Sequence, residues 1–366
     1  GVEGVNFYNR QQKYADGAQT TSRTSYNTFN FHDIAFQLPL ARRLGLGFSL
    51  TPYSSVGYRV SADEQSDDVW GNIGRVQYLY AGEGDLTEVK LGIGWEVVKR
   101  VSIGVAAQYY WGDIERTYQT VVSNNIVNGG SVNTVTGTDS YGISRIKMQL
   151  GLQADLIQSE RQVLTLGATY DMGGNLRPSV NQTVVNGDIY GTVVRSDTTR
   201  MALKLPVQLG VGLYYQNAKI AAGVDYIYQN WENNESPKSV PGAVNVAYKN
   251  TNTVKLGFEY TPNRMDIRNY LKRWSYRVGF RYGTYYQTFE GKTLSQYAVT
   301  AGFGMPVRFL GRSSIDFGVE FGQRGNDSPL RIDNRQIGLV RQRYVKFSLG
   351  LTLFGEDSWF VRYKYD

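Results

Sequence analysis

Residues able to do chemistry are few in this chain, and their spacing assembles no reaction centre. His32 is the single histidine of the 366 residues, and Asp33 follows it. A His–Asp pair activates a nucleophile only when a serine or cysteine stands beside it. The chain has no cysteine, and nothing in the sequence sets a serine next to the pair. A hydrolase of the phospholipase or protease type is therefore the weakest reading, and no catalytic residue is assigned. Asp63, Glu64, Asp67 and Asp68 form an acidic cluster whose two readings are a divalent-cation site and a solvated loop. The loop is preferred, and no metal is assigned. Gly82-Glu83-Gly84 lacks the lysine and following helix of a phosphate loop. No cofactor motif is present.

The remaining charged residues fall into a different pattern. Arg145, Lys147, Gln149, Gln153 and Asp155 alternate with Ile146, Met148, Leu150, Leu152 and Leu156. Val89, Leu91, Ile93, Trp95 and Val97 alternate with Lys90, Gly92, Gly94 and Glu96. Successive side chains of a strand point to opposite faces, so each such run is a strand with one apolar and one wet face. The pattern returns in residues 44–52, 101–111, 201–215, 274–282, 297–307, 315–321 and 345–353. An antiparallel sandwich with one wet face also alternates. The apolar face here, however, ends in Trp95, Trp111, Tyr170, Tyr226 and Trp274, as a lipid-facing band with aromatic girdles does.

Bulk properties agree. No stretch reaches the roughly 18–20 apolar residues of a spanning helix, and mean hydropathy is −0.37, which alternating strands produce. Tyrosine (28) and glycine (41) are abundant, and tyrosine suits membrane interfaces. The formal charge of +7 comes from 39 basic and 32 acidic residues without a basic run. Outer-membrane lipid and lipopolysaccharide are thus the expected counter-charge, with other envelope proteins as further partners and no nucleic acid. No signal peptide precedes Gly1, so the chain reads as mature or N-terminally trimmed.

Short connections fall near Pro39–Arg43, Lys99–Arg100, Gln158–Arg161, Asn217–Ala218, Thr261–Arg273 and Leu310–Ser313. Longer polar ones fall near 15–24, 61–72, 121–138, 174–198, 231–246, 288–294 and 325–337. Strict alternation of the two predicts an all-β transmembrane antiparallel barrel of about 14 strands, with long extracellular loops, short periplasmic turns and periplasmic termini. Gly82-Glu83-Gly84-Asp85 is taken as a break within one strand. The expected domains are a barrel over 1–354 and a periplasmic C-terminal tail over 355–366, in the outer membrane of a Gram-negative bacterium. The tail's four aromatics predict an ordered segment that packs under the barrel mouth or on a partner.

Trp95, Leu203, Leu205, Phe280, Phe317 and Leu349 are expected to face lipid, and Arg145, Lys204, Arg277 and Glu320 the lumen. Mixed signs on one face leave two readings open, cross-strand pairing and a selectivity lining. Inward glycines such as Gly94, Gly104, Gly167 and Gly210 either clear the periplasmic half of the lumen or relieve strain. Pro52, Pro206 and Pro306 lie inside strand patterns and imply bulges, kinks or gaps. The apolar face slips from Phe29 and Phe31 to Ile34, Phe36 and Leu38, which predicts a β-bulge at His32–Asp33.

Three segments carry a family resemblance. "LGLGFSLTPYSSVGYRV" (44–60) resembles the third strand of FadL-type outer-membrane transporters of hydrophobic compounds. "TEVKLGIGWEVVKRVSIGVAAQYYWGDI" (87–114) is similar to the following hairpin, and "LKLPVQLGVGLYYQN" (203–217) to the family's Leu-Pro strand. The pattern covers roughly residues 25–354. The resemblance implies a fourteen-stranded barrel plugged by an N-terminal hatch, with a lateral opening at a kinked third strand, where Pro52 sits. Here the first strand begins almost at Gly1, so the pathway is plugged differently or the true N-terminus lies upstream. The implied function is passage of small hydrophobic molecules through the lumen and the wall opening, with Tyr53, Tyr58, Tyr109 and Tyr110 as the apolar pocket. Some relatives serve instead as partner subunits of secretion or assembly machines, which keeps a non-catalytic complex subunit as the alternative.

Overall fold

A computed structural model describes the chain apart from residues 16–17, 65–66, 124–131, 188–191, 201–202, 233–245, 309–311, 333–334 and 354–366. The expected C-terminal tail therefore lies outside the described residues. Strand β1 (Val2–Ala15) turns into β2 (Ala18–Phe31), which runs on into β3 (Ile34–Ala41); β4 (Leu44–Asp63), a short α1 (Asp67–Asn72), β5 (Arg75–Val98), β6 (Val101–Ser123) and β7 (Val132–Gln158) follow. Next come β8 (Gln162–Asp171), β9 (Gly174–Asn175), β10 (Ser179–Asn186), β11 (Thr192–Arg200), β12 (Lys204–Leu205), β13 (Val207–Asn217), β14 (Ile220–Asn230), β15 (Val246–Tyr248) and β16 (Thr251–Tyr260). After a turn with a 3-10 helix (Tyr270–Arg273) the chain completes β17 (Ser275–Phe289), β18 (Lys292–Arg308) and β19 (Arg312–Arg324). The hairpin β20 (Pro329–Ile332) and β21 (Arg335–Gly338) leads to the final strand β22 (Val340–Thr352).

Eighteen of these segments form one antiparallel sheet. The ladder between β1 and β22 joins first to last, from Val2↔Leu349 to Gln11↔Val340. Four passes are each split in two: β2 with β3, β8 with β10, β11 with β13, and β15 with β16. The 18 segments therefore make 14 passes of the wall, the count that the alternation of turns and loops predicts. The splits at β8/β10 and β11/β13 share one level, because β7 pairs with β8 below and β10 above. The residues between, 172–178 and 203–206, leave the wall there and are tied together by the two-residue ladder β9–β12.

Outward side chains are the apolar ones. Trp95, Phe280, Phe317 and Leu349 are 51%, 40%, 43% and 43% exposed, on a face that also carries Leu91, Ile93, Ile103, Ile146 and Leu152. Leu203 and Leu205 do not join them. Pro206 ends the run before β13 starts at Val207, and both leucines turn inward to pack on a buried cluster. Expected loops at 15–24 and 288–294 are instead hairpins: β1 pairs with β2 through Ala15↔Ala18, and β17 turns into β18 at Glu290-Gly291. Most of 174–198 is likewise strand. A membrane strand needs roughly 9–11 residues, whereas β5, β6 and β7 have 24, 23 and 27. Their upper halves, with Val76, Leu86 and Ile143 buried, rise beyond the bilayer as strand, not as loop.

The slip at His32–Asp33 is a change of partner rather than a bulge. Above it β2 pairs with β1 from Val2↔Phe31 upward. Below it β3 pairs with β4, and that ladder stops at Ile34↔Leu50. His32 N–H donates to the Gly1 carbonyl (2.9 Å), and the Gly1 amine donates to the Asp33 carbonyl (2.7 Å). Among the described residues no ladder joins β2 to the upper half of β4, and the edge of β3 away from β4 is likewise without one.

At the top of the membrane band the β5–β6 ladder is interrupted between Gly84↔Ile114 and Thr87↔Trp111. Gly84 (φ 120°) lies on one strand of the gap and Gly112 (φ 153°) on the other. A Cβ at Gly84 would overlap the Asp113 carbonyl oxygen, and one at Gly112 the Asp85 carbonyl oxygen. Both positions thus need glycine on conformation and on space. Gly84→Ala or Gly112→Ala should lower the stability of the folded barrel by about 1–3 kcal/mol, read from urea unfolding in detergent. Gly47→Ala, whose Cβ would meet nothing within 4 Å, should leave the midpoint unchanged.

Candidate functional site

The interior is built at three levels. Lowest is a cavity of about 560 Å³ lined by Gly94, Gly104, Gly151, Gly167, Gly210 and Gly212 among others. Inward glycines do leave the periplasmic half of the lumen open on this side.

Above the cavity a hydrogen-bonded belt crosses seven neighbouring passes, from β5 to β16. Gln108 Nε2 donates to Glu88 Oε1 (3.1 Å) and to Asp171 Oδ1 (3.0 Å). Gln149 Nε2 donates to Asp171 Oδ1 (2.7 Å), and Gln208 Nε2 donates to Asp171 Oδ2 (3.0 Å). Gln229 Nε2 continues to Gln208 Oε1 (2.7 Å), and Thr251 Oγ1 donates to Gln229 Oε1 (3.1 Å). Lys90 Nζ lies 3.4 Å from Glu88 Oε1. Asp171 is the last residue of β8, where the wall pass breaks, so its carboxylate reaches both neighbouring walls. Tyr53, Tyr110 and Lys147 close over the belt, leaving a cavity of about 110 Å³.

The strap formed by residues 172–178 and 203–206 closes the level above. Leu176 N–H donates to the Leu203 carbonyl (2.7 Å). Arg145 Nε donates to the Leu176 carbonyl (3.1 Å) and Lys147 Nζ to the Gly174 carbonyl (3.0 Å). Leu176 is 1% exposed and packs with Leu86, Tyr110 and Ile143, with Ile114, Leu203 and Leu205 against them. A plug is thus made from the wall's own chain.

Opposite, charges of both signs pair across the wall. Arg277 Nε donates to Glu259 Oε2 (2.7 Å), and its Nη1 pairs with Asp316 two passes away. Between them lies Gly304, where a Cβ would crowd both Asp316 Oδ1 and the Arg277 guanidinium. Arg281 Nη2 donates to Glu320 Oε1 (2.8 Å) and to Tyr344 Oη (2.9 Å), while Tyr344 Oη donates to Glu320 Oε1 (2.6 Å). Small residues on β18 let arginines of β17 reach carboxylates of β19.

The sequence-named residues are distributed as follows. Pro52 opens a bulge in which Tyr53 is the extra residue between Pro52↔Thr87 and Ser54↔Leu86. Tyr53 meets Tyr110 edge to face (4.9 Å between centroids) at the belt. Tyr58 lies over Gly82 of the adjacent strand. Tyr109 does not belong with them: it shares the outward face with Val105, stacks on Trp111 (5.6 Å) and bonds Ser144 Oγ (3.0 Å). Consecutive strand residues point opposite ways, so Tyr109 and Tyr110 cannot line one pocket. Arg145 holds the strap, Lys204 lies within it at β12, and Arg277 and Glu320 form the ion pairs. Gln149 is read from the sequence on the wet face of its strand, but Asp171 and the belt it centres escaped sequence reading, because a lone carboxylate at a strand end carries no spacing signal.

A closed fourteen-pass barrel with an apolar outer band and a polar, partly plugged lumen is the architecture of an outer-membrane β-barrel of the FadL type. A family model described as BamG matches residues 7–366, and the chain belongs to that family. Among solved structures it is similar to a Pseudomonas aeruginosa FadL homologue (TM-score 0.61, 14% identity, 96% of this chain and 89% of that one). It is also similar to the P. putida toluene transporter TodX (TM-score 0.56, 15% identity, 95% and 87%). The CymD monoaromatic hydrocarbon channel gives a TM-score of 0.52 at 12% identity, over 97% and 89%. At these identities the likeness is one of fold. No curated protein matches. Fold and family together point to a bacterial outer membrane.

Replacing Asp171 by alanine removes the acceptor of three glutamine donors. A hydrogen bond to a charged group contributes about 1.5–3 kcal/mol, so Asp171→Ala should lower the unfolding midpoint in detergent by at least one such bond. Asp171→Asn, which keeps one acceptor oxygen, should fall between it and wild type.

Proposed function

We propose that this barrel passes small hydrophobic molecules across the outer membrane of a Gram-negative bacterium without catalysis, and that they leave its upper lumen sideways between β2 and β4. The observation that carries this reading is the pair of unladdered rims. Residues 29–31 of β2 and 52–55 of β4 are each exposed at consecutive positions, so both faces are accessible, and among the described residues no ladder joins the two strands. The last β3–β4 pair is Ile34↔Leu50. Pro52, lacking an N–H, follows two residues later, where the wall need not be sealed.

The alternative course, straight down the lumen, meets the strap and then the belt. An apolar molecule crossing there would displace bonds to the Asp171 carboxylate, each worth about 1.5–3 kcal/mol, with nothing to replace them. A sideways exit displaces none. Tyr53 and Tyr110 line the lumen beside the rim and supply apolar surface with a polar tip.

A second reading, a non-catalytic subunit of an outer-membrane assembly or secretion complex, is favoured by the strap and belt that obstruct part of the lumen. It predicts co-purification with other envelope proteins in mild detergent, and isolation solely as a monomer would count against it. The passage reading is tested by uptake of a hydrophobic probe into cells carrying Pro52→Ala, which restores a backbone donor at the rim. Uptake should fall at equal barrel levels. Unchanged uptake would remove the opening at Pro52 from the pathway.

A further inference from the structure

Of the short-side connections, Thr261–Trp274 is exceptional in length and in what it exposes. It is an ordered structure. Asn263 N–H donates to the Lys272 carbonyl (2.8 Å), closing its neck. Thr261 Oγ1 bonds Ser275 Oγ (2.8 Å) at the base. Asp266 Oδ1 accepts from the Asn269 and Arg268 N–H groups (2.8 and 2.9 Å), which hold its carboxyl below the ordinary aspartate value. Asn269 Oδ1 caps the 3-10 helix by accepting from Leu271 N–H (3.1 Å).

A turn this well ordered nonetheless leaves its apolar side chains uncovered. Ile267 is 97% exposed, Met265 81% and Leu271 54%. In water such a display costs solubility and gains nothing. The same turn carries Arg264, Arg268, Lys272 and Arg273 against the single acid Asp266. Arg264 is directed to Glu259 (3.6 Å) and Lys272 lies 3.8 Å from Asp266. Arg273 covers the Tyr270 ring (4.7 Å), and Arg268 is exposed.

The turn also lies against the outer face of the barrel rather than beneath its mouth. Tyr270 Oη donates to the Pro306 carbonyl (2.8 Å), and Tyr276 Oη donates to the Leu271 carbonyl (3.0 Å). Tyr270 meets Trp274 edge to face (6.0 Å), and Trp274 stacks on Phe303 (4.9 Å), which adjoins the lipid-facing Phe317 (5.4 Å). The exposed apolar residues thus continue an aromatic row that already faces lipid.

We propose that residues 264–273 are a membrane-surface anchor, with Ile267 and Leu271 inserted at the periplasmic leaflet and Arg268, Lys272 and Arg273 on anionic phospholipid headgroups. Apolar side chains interleaved with basic ones, set at the end of a lipid-facing row, match an interface of acyl chain and phosphate. A protein partner would need the patch turned away from the bilayer, whereas Tyr270 and Leu271 are fastened to the lipid-facing wall. The inference stands independently of the passage reading, since it concerns the turn alone.

The absence of cysteine from the chain permits a clean test. The full barrel carrying Ile267→Cys, labelled with a polarity-sensitive fluorophore, is reconstituted in vesicles of phosphatidylcholine with or without phosphatidylglycerol. The anchor predicts blue-shifted emission quenched by spin-labelled lipid, stronger with phosphatidylglycerol. The added shift should be lost in the Arg268→Glu, Lys272→Glu background, in which heat-modifiable migration confirms the folded barrel. Emission typical of water in both vesicle types would overturn the proposal and leave a protein-facing patch as the outcome. A shift indifferent to lipid charge and to the double substitution would overturn the headgroup half.

Discussion

Every other feature of this barrel depends on the requirement that backbone N–H and C=O groups find partners where water is excluded, since each one left unpaired in hydrocarbon costs several kcal/mol. Closure through β1 and β22 follows from it. So does the way wall passes are mended from two pieces. When β8 ends at Asp171 and β13 starts at Val207, the strap between pairs with itself through β9 and β12, while β10 and β11 restore the ladder above. The same requirement makes the unladdered rims of β2 and β4 informative. They begin where β3 stops pairing with β4, at the upper end of the lipid-facing run Ile34–Leu40.

Inside the wall the controlling factor is space. Arg277 reaches Asp316 and Arg281 reaches Glu320 across a whole strand, because β18 presents Gly304 and the fully buried Ala298 between them. Tyr344 lies over Gly322 in the same manner and delivers its hydroxyl to Glu320. Small residues therefore serve two ends in different sectors of the lumen: an open cavity under β6, β7, β8 and β13, and room for ion pairs under β17, β18 and β19.

The wall was legible in the sequence wherever one face had to be apolar. The lower halves of β5, β6 and β7 and the turns at Lys99–Arg100 and Asn217–Ala218 follow from alternation alone. Alternation weakens above the membrane band, so residues 121–123 of β6 and 132–138 of β7 read as loop. It misleads at Leu203 and Leu205, whose period-two spacing continues that of Val207 and Leu209 although Pro206 separates them. The opposed faces of Tyr109 and Tyr110 were already implied by their adjacency. The belt was not legible, because Gln108, Gln149, Asp171, Gln208 and Gln229 are brought to one level by register, and register is set by pairings between distant segments.

A strap held by Arg145 and Lys147 and a belt centred on Asp171 obstruct the lumen on the side of β5 to β16, and among the described residues no ladder joins β2 to the upper half of β4. The central claim is that hydrophobic cargo leaves this barrel without traversing its axis. Single barrels in a planar bilayer test it most directly. The account predicts negligible ion current through the intact protein, together with hydrophobic-probe uptake by vesicles made from the same preparation. A stable open current through the unmodified barrel would show a water-filled axial path and contradict it.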